Sequence, residues 1–430
     1  MKVDHIFNKL DRCDAASFGL CIQHVDVRFN CPKRISNGAT MREQKGIILV
    51  TVLTIILMLT IIAAGGFIVS TTESRMASID RTIKRSFYTA DAGIEEARGR
   101  LQSTSSNPIN DPSPNNPGWK MFIGPQARVT DLGYNSSYTR IDRLTSLDYA
   151  VSVTHKLNSS NQVLFWGDSN LDGIPEVNTS GVGKPIYVIT SNGKDLQGSK
   201  TIQLESIFIP NPTVVSALYS EGLARVEGSA VLVTGLDQCG GGSVAGITTT
   251  GSIVQTGNPV IQGTPPEAQN SNIILKVADM LSLYQSRANY QYNYSSGQTM
   301  AGASWGLPTL PNYSSPSSCS EKNVVYFKMN GNELRLTGYT SGCGILMVDG
   351  DLKVYDGFFN WNGLVLVKGS VNFTGAGANN ITGALICGGN LSLNAVGGST
   401  AIIYCGQAIS RQTQSLPMAV MKWTELVGGS

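Results

Sequence analysis

The one run of side chains spaced for chemistry is DSNLDGIPE, residues 168–176. Asp168, Asn170 and Asp172 alternate, Gly173 permits a sharp turn, and Glu176 follows four residues after Asp172. Oxygen donors at every second position ahead of a glycine match the first nine positions of a D-x-[DN]-x-[DN]-G calcium loop. The Ile174 carbonyl would supply a further oxygen. Thr179 stands where such a loop carries its bidentate glutamate. Calcium is the one cofactor these residues suggest. The alternative is an Asx-rich turn that satisfies its own backbone.

No other group is arranged for catalysis. Beyond residue 46 the sequence has a single histidine, His155, inside an apparent strand, where a half-buried polar residue is the plain reading. There is no G-x-S-x-G, H-E-x-x-H or Walker-type loop. CGGGS at 239–243 lacks the strand-to-helix setting of a phosphate cradle, and the carboxylates are too scattered to nominate a glycoside-cleaving pair. No catalytic residue is assigned and no enzyme is expected. Cys239, Cys319, Cys343, Cys387 and Cys405 leave an odd thiol, with Cys319 and Cys343 a candidate disulfide. Near the start, Cys13, Cys21, Cys31, His5 and His24 lack the paired C-x₂₋₄-C of a zinc knuckle.

The elements that would carry these residues are strands. Charged residues make up 14% of the chain, against a usual ~25%, and 47 of 430 residues are glycine. That is the texture of exported β-rich proteins. The net charge of +2 gives no reason to expect a nucleic-acid partner. After a Pro/Asn/Ser loop at 105–118 come four strand-like runs at 147–157, 162–167, 185–191 and 200–209. Their β-branched and aromatic alternation predicts an antiparallel meander.

From residue 211 the pattern becomes repetitive. VVYFKMNGNELRL, GILMVDGDLKV, GLVLVKGSVNF, GALICGGNLSL and TAIIYCGQAI share Gly331, Gly350, Gly369, Gly389 and Gly406, spaced by 19, 19, 20 and 17. Weaker copies surround Gly222 and Gly251. Strand, glycine corner, strand repeated at this period predicts a β-solenoid-like domain, with a sandwich of hairpins as the alternative. Cys387 replaces Val348 and Val367 of neighbouring copies, an inward position; Cys405, one place further on, should face the other way. A helix is expected near 271–290, capping or flanking the repeats.

Ahead of all this, no charged residue occurs between Gly46 and Glu73. At ~1.5 Å per residue, 47–69 covers roughly 34 Å, enough to span a bilayer core. Beyond it Met76, Ile79, Ile83, Phe87, Ala90, Ile94, Ala97 and Leu101 draw one helical stripe. The expectation is one continuous helix, its first half in lipid and its second against protein.

A basic residue and a glycine, Lys45 and Gly46, followed by an uninterrupted apolar helix from Ile47, resemble the processing site of type IV prepilins and type II secretion pseudopilins. TTESRMASIDRTIKRSFYTADAGIEEA resembles the N-terminal domain of PilX-type minor pilins, with Glu73, Arg75, Met76, Ala77, Phe87, Ala90, Asp91 and Ala92 at that family's spacing. The resemblance covers about residues 45–101. It implies cleavage by a prepilin peptidase between Gly46 and Ile47, N-methylation of the new terminus, and partners among minor and major pilins. It also implies a single-pass location in a bacterial inner membrane with the head exported, followed by entry into a pilus or pseudopilus. Thr51 stands where most major pilins have glutamate, a departure that points to minor pilins and, with the bulky head, to the filament tip.

The expected fold class is therefore α+β. The leader would be 1–46, with translation starting at Met41. The pilin helix would be 47–104 with its transmembrane segment at 47–69, the pilin-like β domain 105–210, and the solenoid-like domain 211–430. Other readings stay open: an ordinary signal anchor, a membrane-anchored adhesin or polysaccharide-binding protein, and a solenoid enzyme.

Overall fold

The structure is a computed structural model that describes residues 45–430 apart from 104–105, 134–137, 196–197, 310–315, 396, 415 and 427–430. The expected leader up to residue 44, with Met41, lies outside the described residues. Helix α1 runs from Lys45 to Leu101, and the short helix α2 from Gln126 to Val129. The chain forms two compact units, divided between Glu73 and Ser74.

In the first unit the apolar side chains are exposed on all sides. The helix is long and apolar enough to cross a membrane. Its threonines are satisfied internally: the hydroxyls of Thr51, Thr54, Thr60, Thr71 and Thr72 donate to carbonyls three or four residues back. Hydrocarbon surroundings require this of any hydroxyl they enclose.

The second unit holds the rest of α1 and all the sheets. The stripe expected to bury the whole second half of the helix does so only in part. Met76, Ile79 and Ile83 remain 64%, 57% and 43% exposed, while Ala90, Ile94, Ala97 and Leu101 are buried. The reason is the length of the sheet beneath. At the tip of its longest hairpin, a Cβ on Gly198 would already lie 3.3 Å from Thr82, and residues before Thr82 run past the end of the strands. Where helix and sheet meet, glycines leave room for the close approach. A Cβ on Gly193 would sit 2.3 Å from the Ala90 nitrogen, and one on Gly93 2.4 Å from the Ser191 hydroxyl.

That sheet has the order Thr139–Ile141, Lys120–Ile123, Tyr149–His155, Tyr187–Asp195, Gly198–Ile207, Ala419–Leu426. All pairs but the first are antiparallel. Val151, Val153, Ile189, Ile202 and Leu204 alternate onto α1 and form its core. Two expectations change here. The run at 162–167 leaves the meander and, as Phe165–Gly167, pairs with Glu176–Asn178 and Lys184–Pro185 in a separate three-stranded sheet. And from within residues 211–430 the strand Ala419–Leu426 returns to the first sheet beside Gly198–Ile207. The loop at 106–118 packs with its Ile109 in the helix–sheet core.

The remaining strands form a curled parallel half-barrel sheet. One column shows its construction: Leu352 pairs with Val371, Val371 with Leu391, Leu391 with Ala224, and Ala224 with Ile253. Each step among 352–391 advances about one repeat, and the column is then continued by residues that come earlier in sequence. The chain lays down 216–262 at one end of the stack, crosses through helix α3 (Val277–Gln285), begins again at Tyr290–Asn293 and winds back to meet its own first turns. The helix is shorter than the expected 271–290. Gly350, Gly369 and Gly389 are corners where successive turns press together, so that a Cβ on Gly369 would lie 2.9 Å from the Gly350 carbonyl oxygen. Gly406 breaks the series, since it opens helix α4 (Gly406–Gln414) instead of a second strand.

Inside the curl sit Trp361, Phe359, Phe373, Val365 and Leu385. Outside one face, Met347, Leu366 and Ile386 are covered by Met280, Leu281 and Tyr284 of α3 and Ile409 of α4. α3 thus flanks the repeats.

Candidate functional site

Three places hold the residues that the sequence singles out. The first is the expected processing boundary. The backbone of Lys45, Gly46 and Ile47 opens α1, and their side chains lie outside the described residues. Thr51 is within the helix, its hydroxyl donating to the Ile48 carbonyl at 2.9 Å.

The second is the 168–176 loop, which bridges two strands of the small sheet. Asp168, Asn170, Asp172 and Glu176 turn side-chain oxygens onto amides of this loop, which Ile174 joins through its own amide. Asp168 accepts from the Asp172 amide at 3.1 Å and the Gly173 amide at 2.7 Å. Asn170 accepts from the Asp172 amide at 3.0 Å, and Asp172 from the Ile174 amide at 2.9 Å. Glu176 accepts from the Ser169 amide at 2.8 Å. Gly173 has φ +90° and Leu171 φ +62°, the left-handed conformations that fold the loop back on itself. The second oxygen of Asp172 meets the Lys276 ammonium at 2.7 Å. That contact, with the Ile174 amide, holds the Asp172 carboxyl below the usual range. Lys276 occupies the place on Asp172 that an incoming cation would take, so calcium here would have to displace it.

The third was not foreseen. His155, expected to be half-buried, is fully enclosed: Nε2 lies 2.9 Å from Asp111 Oδ2, and Nδ1–H donates to the Asn116 carbonyl at 2.9 Å. Trp119 stacks on the imidazole with ring centroids 4.8 Å apart. The Tyr187 hydroxyl donates to the same Asp111 oxygen at 2.9 Å, and burial, then Asp111, pushes the Tyr187 phenol upward. These groups tie the 106–118 loop to the sheet beside an open cleft of about 800 Å³, lined among others by Phe165, Lys184, Tyr187 and Phe208. Asp111 sits in a run whose composition signals only a loop, and no local spacing links it to a histidine 44 residues later.

The cysteines pair as Cys319 with Cys343 and Cys239 with Cys405. Cys387 is free and buried, and burial pushes its thiol up to about 12. It lies in the inner core as its repeat position implies, whereas Cys405 pairs outside that cluster. Asp237 stands beside the Cys239–Cys405 bridge, and its carboxylate accepts from the Cys239 amide at 2.8 Å.

A second buried network fixes the end of α1. Arg100 Nη2 lies 2.7 Å from Glu96 Oε1, and Arg100 also donates to the carbonyls of Asn107 at 3.0 Å and Asp142 at 2.7 Å. Glu96 accepts from the Leu144 amide and the Tyr149 hydroxyl. Burial, then the Glu96 hydrogen bond, pushes the Tyr149 phenol up to about 12. Comparisons with known families, with curated proteins and with solved structures find no match for this chain.

Proposed function

We propose that this chain is a minor-pilin-like subunit of a type IV pilus or pseudopilus. A prepilin peptidase would cut between Gly46 and Ile47. The apolar part of α1 would hold the subunit in the inner membrane and later among the helices of neighbouring pilins. The exported head would combine a pilin-like sheet with the curled parallel sheet, which we read as a β-solenoid-like domain. The role is assembly, with no reaction assigned to any residue.

The observation that carries this reading is α1. One helix from Lys45 to Leu101 begins with an apolar segment exposed all around and ends buried against an antiparallel sheet. An ordinary signal anchor needs no such continuation. The Gly93 and Gly193 contacts, where any side chain would push the two apart, tie the helix end to that sheet and make it an integral part of the head.

Gly46→Val tests the proposal in cells that possess the peptidase. The variant should accumulate at the size of the uncut precursor while the parent protein shortens. Identical sizes would favour the signal anchor.

A further inference from the structure

We propose that one lateral face of the curled sheet is a docking surface for a linear, uncharged glycan. The proposal goes beyond the pilin reading and does not depend on it. Of the strands around the curl, those at 345–348, 364–367 and 384–387 are buried on both sides, beneath α3 and α4. The face formed by Leu352–Tyr355, Val371–Thr374, Leu391–Asn394 and Ala224–Glu227 differs. Its burial alternates strictly, with inward residues enclosed and outward residues half-exposed or exposed. It is parallel, and its outward side chains are not enclosed.

Its outward side chains form ladders in register. Lys353, Asn372, Ser392 and Arg225 make one, and Tyr355 stands beside Thr374 as Asn394 stands beside Glu227 in the next. Neighbouring rungs of a sheet are ~4.8 Å apart, so amides and hydroxyls recur along a straight line. At the following corner the Tyr339 and Phe358 rings lie one turn apart, tilted by 42° to each other, with centroids at 6.4 Å. With Tyr355 they are 46%, 55% and 47% exposed.

Charge decides among possible partners. Arg225 pairs with Glu227 at 3.1 Å, Arg335 pairs with Glu333, and Lys353 lies over the Tyr355 ring at 5.6 Å. With its arginines neutralised inside the face, the surface lacks the array of available cations that a phosphate polymer demands. Its centre is amides and hydroxyls, unlike the apolar, aromatic core of a protein interface. A linear sugar polymer presents repeating hydroxyls along its edges and apolar C–H faces to aromatic rings, and this face offers a partner for each. Tyrosine serves such a surface well because it joins an apolar body to a polar tip.

The test uses the full chain in detergent micelles. Binding is measured to immobilised neutral glycans (β-glucan, xylan, galactomannan and α-glucan), to polygalacturonate and a sulfated glycan, and to duplex DNA, at 50 and 500 mM salt. At least one neutral glycan should be retained at both salt concentrations. Tyr355→Ala with Phe358→Ala should weaken that binding at least tenfold. Asn372→Glu, at a solvent-facing position away from the core, should do the same with the melting temperature unchanged. Trp423→Ala on the other sheet should leave binding intact. Retention of no neutral glycan, binding that survives both face variants, or binding only to anionic polymers with a steep salt dependence would each overturn the proposal.

Discussion

Arg100→Met should loosen the junction between α1 and the loops around it by a predictable amount. In the parent protein the Arg100 side chain is fully enclosed and Glu96 is 5% exposed, so the pair lies out of reach of water. Replacing Arg100 leaves the Glu96 carboxylate buried without its cation, and deprives the carbonyls of Asn107 and Asp142 of their donors. Breaking one side of a buried pair costs about 3–5 kcal/mol. At ~1.4 kcal/mol per factor of ten, local opening should become roughly 10²- to 4 × 10³-fold more frequent. Native-state hydrogen exchange reads this directly at the Leu144 amide, which is bonded to Glu96, and at the Ile109 amide, which is bonded to the Arg100 carbonyl. The double variant Arg100→Met with Glu96→Leu should recover much of the protection, because it removes both charges together. Protection at Leu144 unchanged within about threefold in Arg100→Met, or a double variant worse than the sum of the singles, would refute the reasoning.

Three further outcomes follow from the same structure. Cys239→Ser with Cys405→Ser removes a bridge that closes 166 residues and clamps the first-laid turns to the last, which on chain entropy should cost on the order of 5 kcal/mol; an unchanged melting temperature would show that strand pairing alone holds that join. Calcium at millimolar concentration should raise the melting temperature of the parent protein but not of Asp172→Ala, and Lys276→Met, which frees Asp172, should enlarge the rise; a calcium-independent melting temperature in all three leaves only the Asx turn. Immunogold label on sheared filaments should fall at tips, since Thr51 lacks the carboxylate that most major pilins carry at that position; regular label along the shaft would contradict a tip position.

What the sequence made legible follows from the range of the interactions involved. The uncharged run before Glu73 and the repeating glycines are local patterns, and both mark real elements: α1, and the corners at Gly350, Gly369 and Gly389. Their consequences at a distance could not be read. Nothing around Gly222 signals that its turn stacks beyond Asn390, because pairing of Leu385 with Leu218 joins segments more than a hundred residues apart in the reverse of chain order. The return of Ala419–Leu426 to the first sheet is hidden for the same reason. Met76, Ile79 and Ile83 fit the helical stripe as well as Ile94 does. Their exposure depends on where the hairpin ends, which helical periodicity does not encode. The Asp111–His155 pair escaped because composition describes a loop's character and not what it packs upon.

The central claim is that Lys45, Gly46 and α1 form a processed pilin segment, and the mature N-terminus tests it most directly. Intact-mass and peptide mass spectrometry of the protein from its native membrane should find Ile47 as the first residue, carrying one methyl group on its amine. A terminus at Met41 or Met1 in cells with active peptidase would contradict the account and leave α1 as a signal anchor.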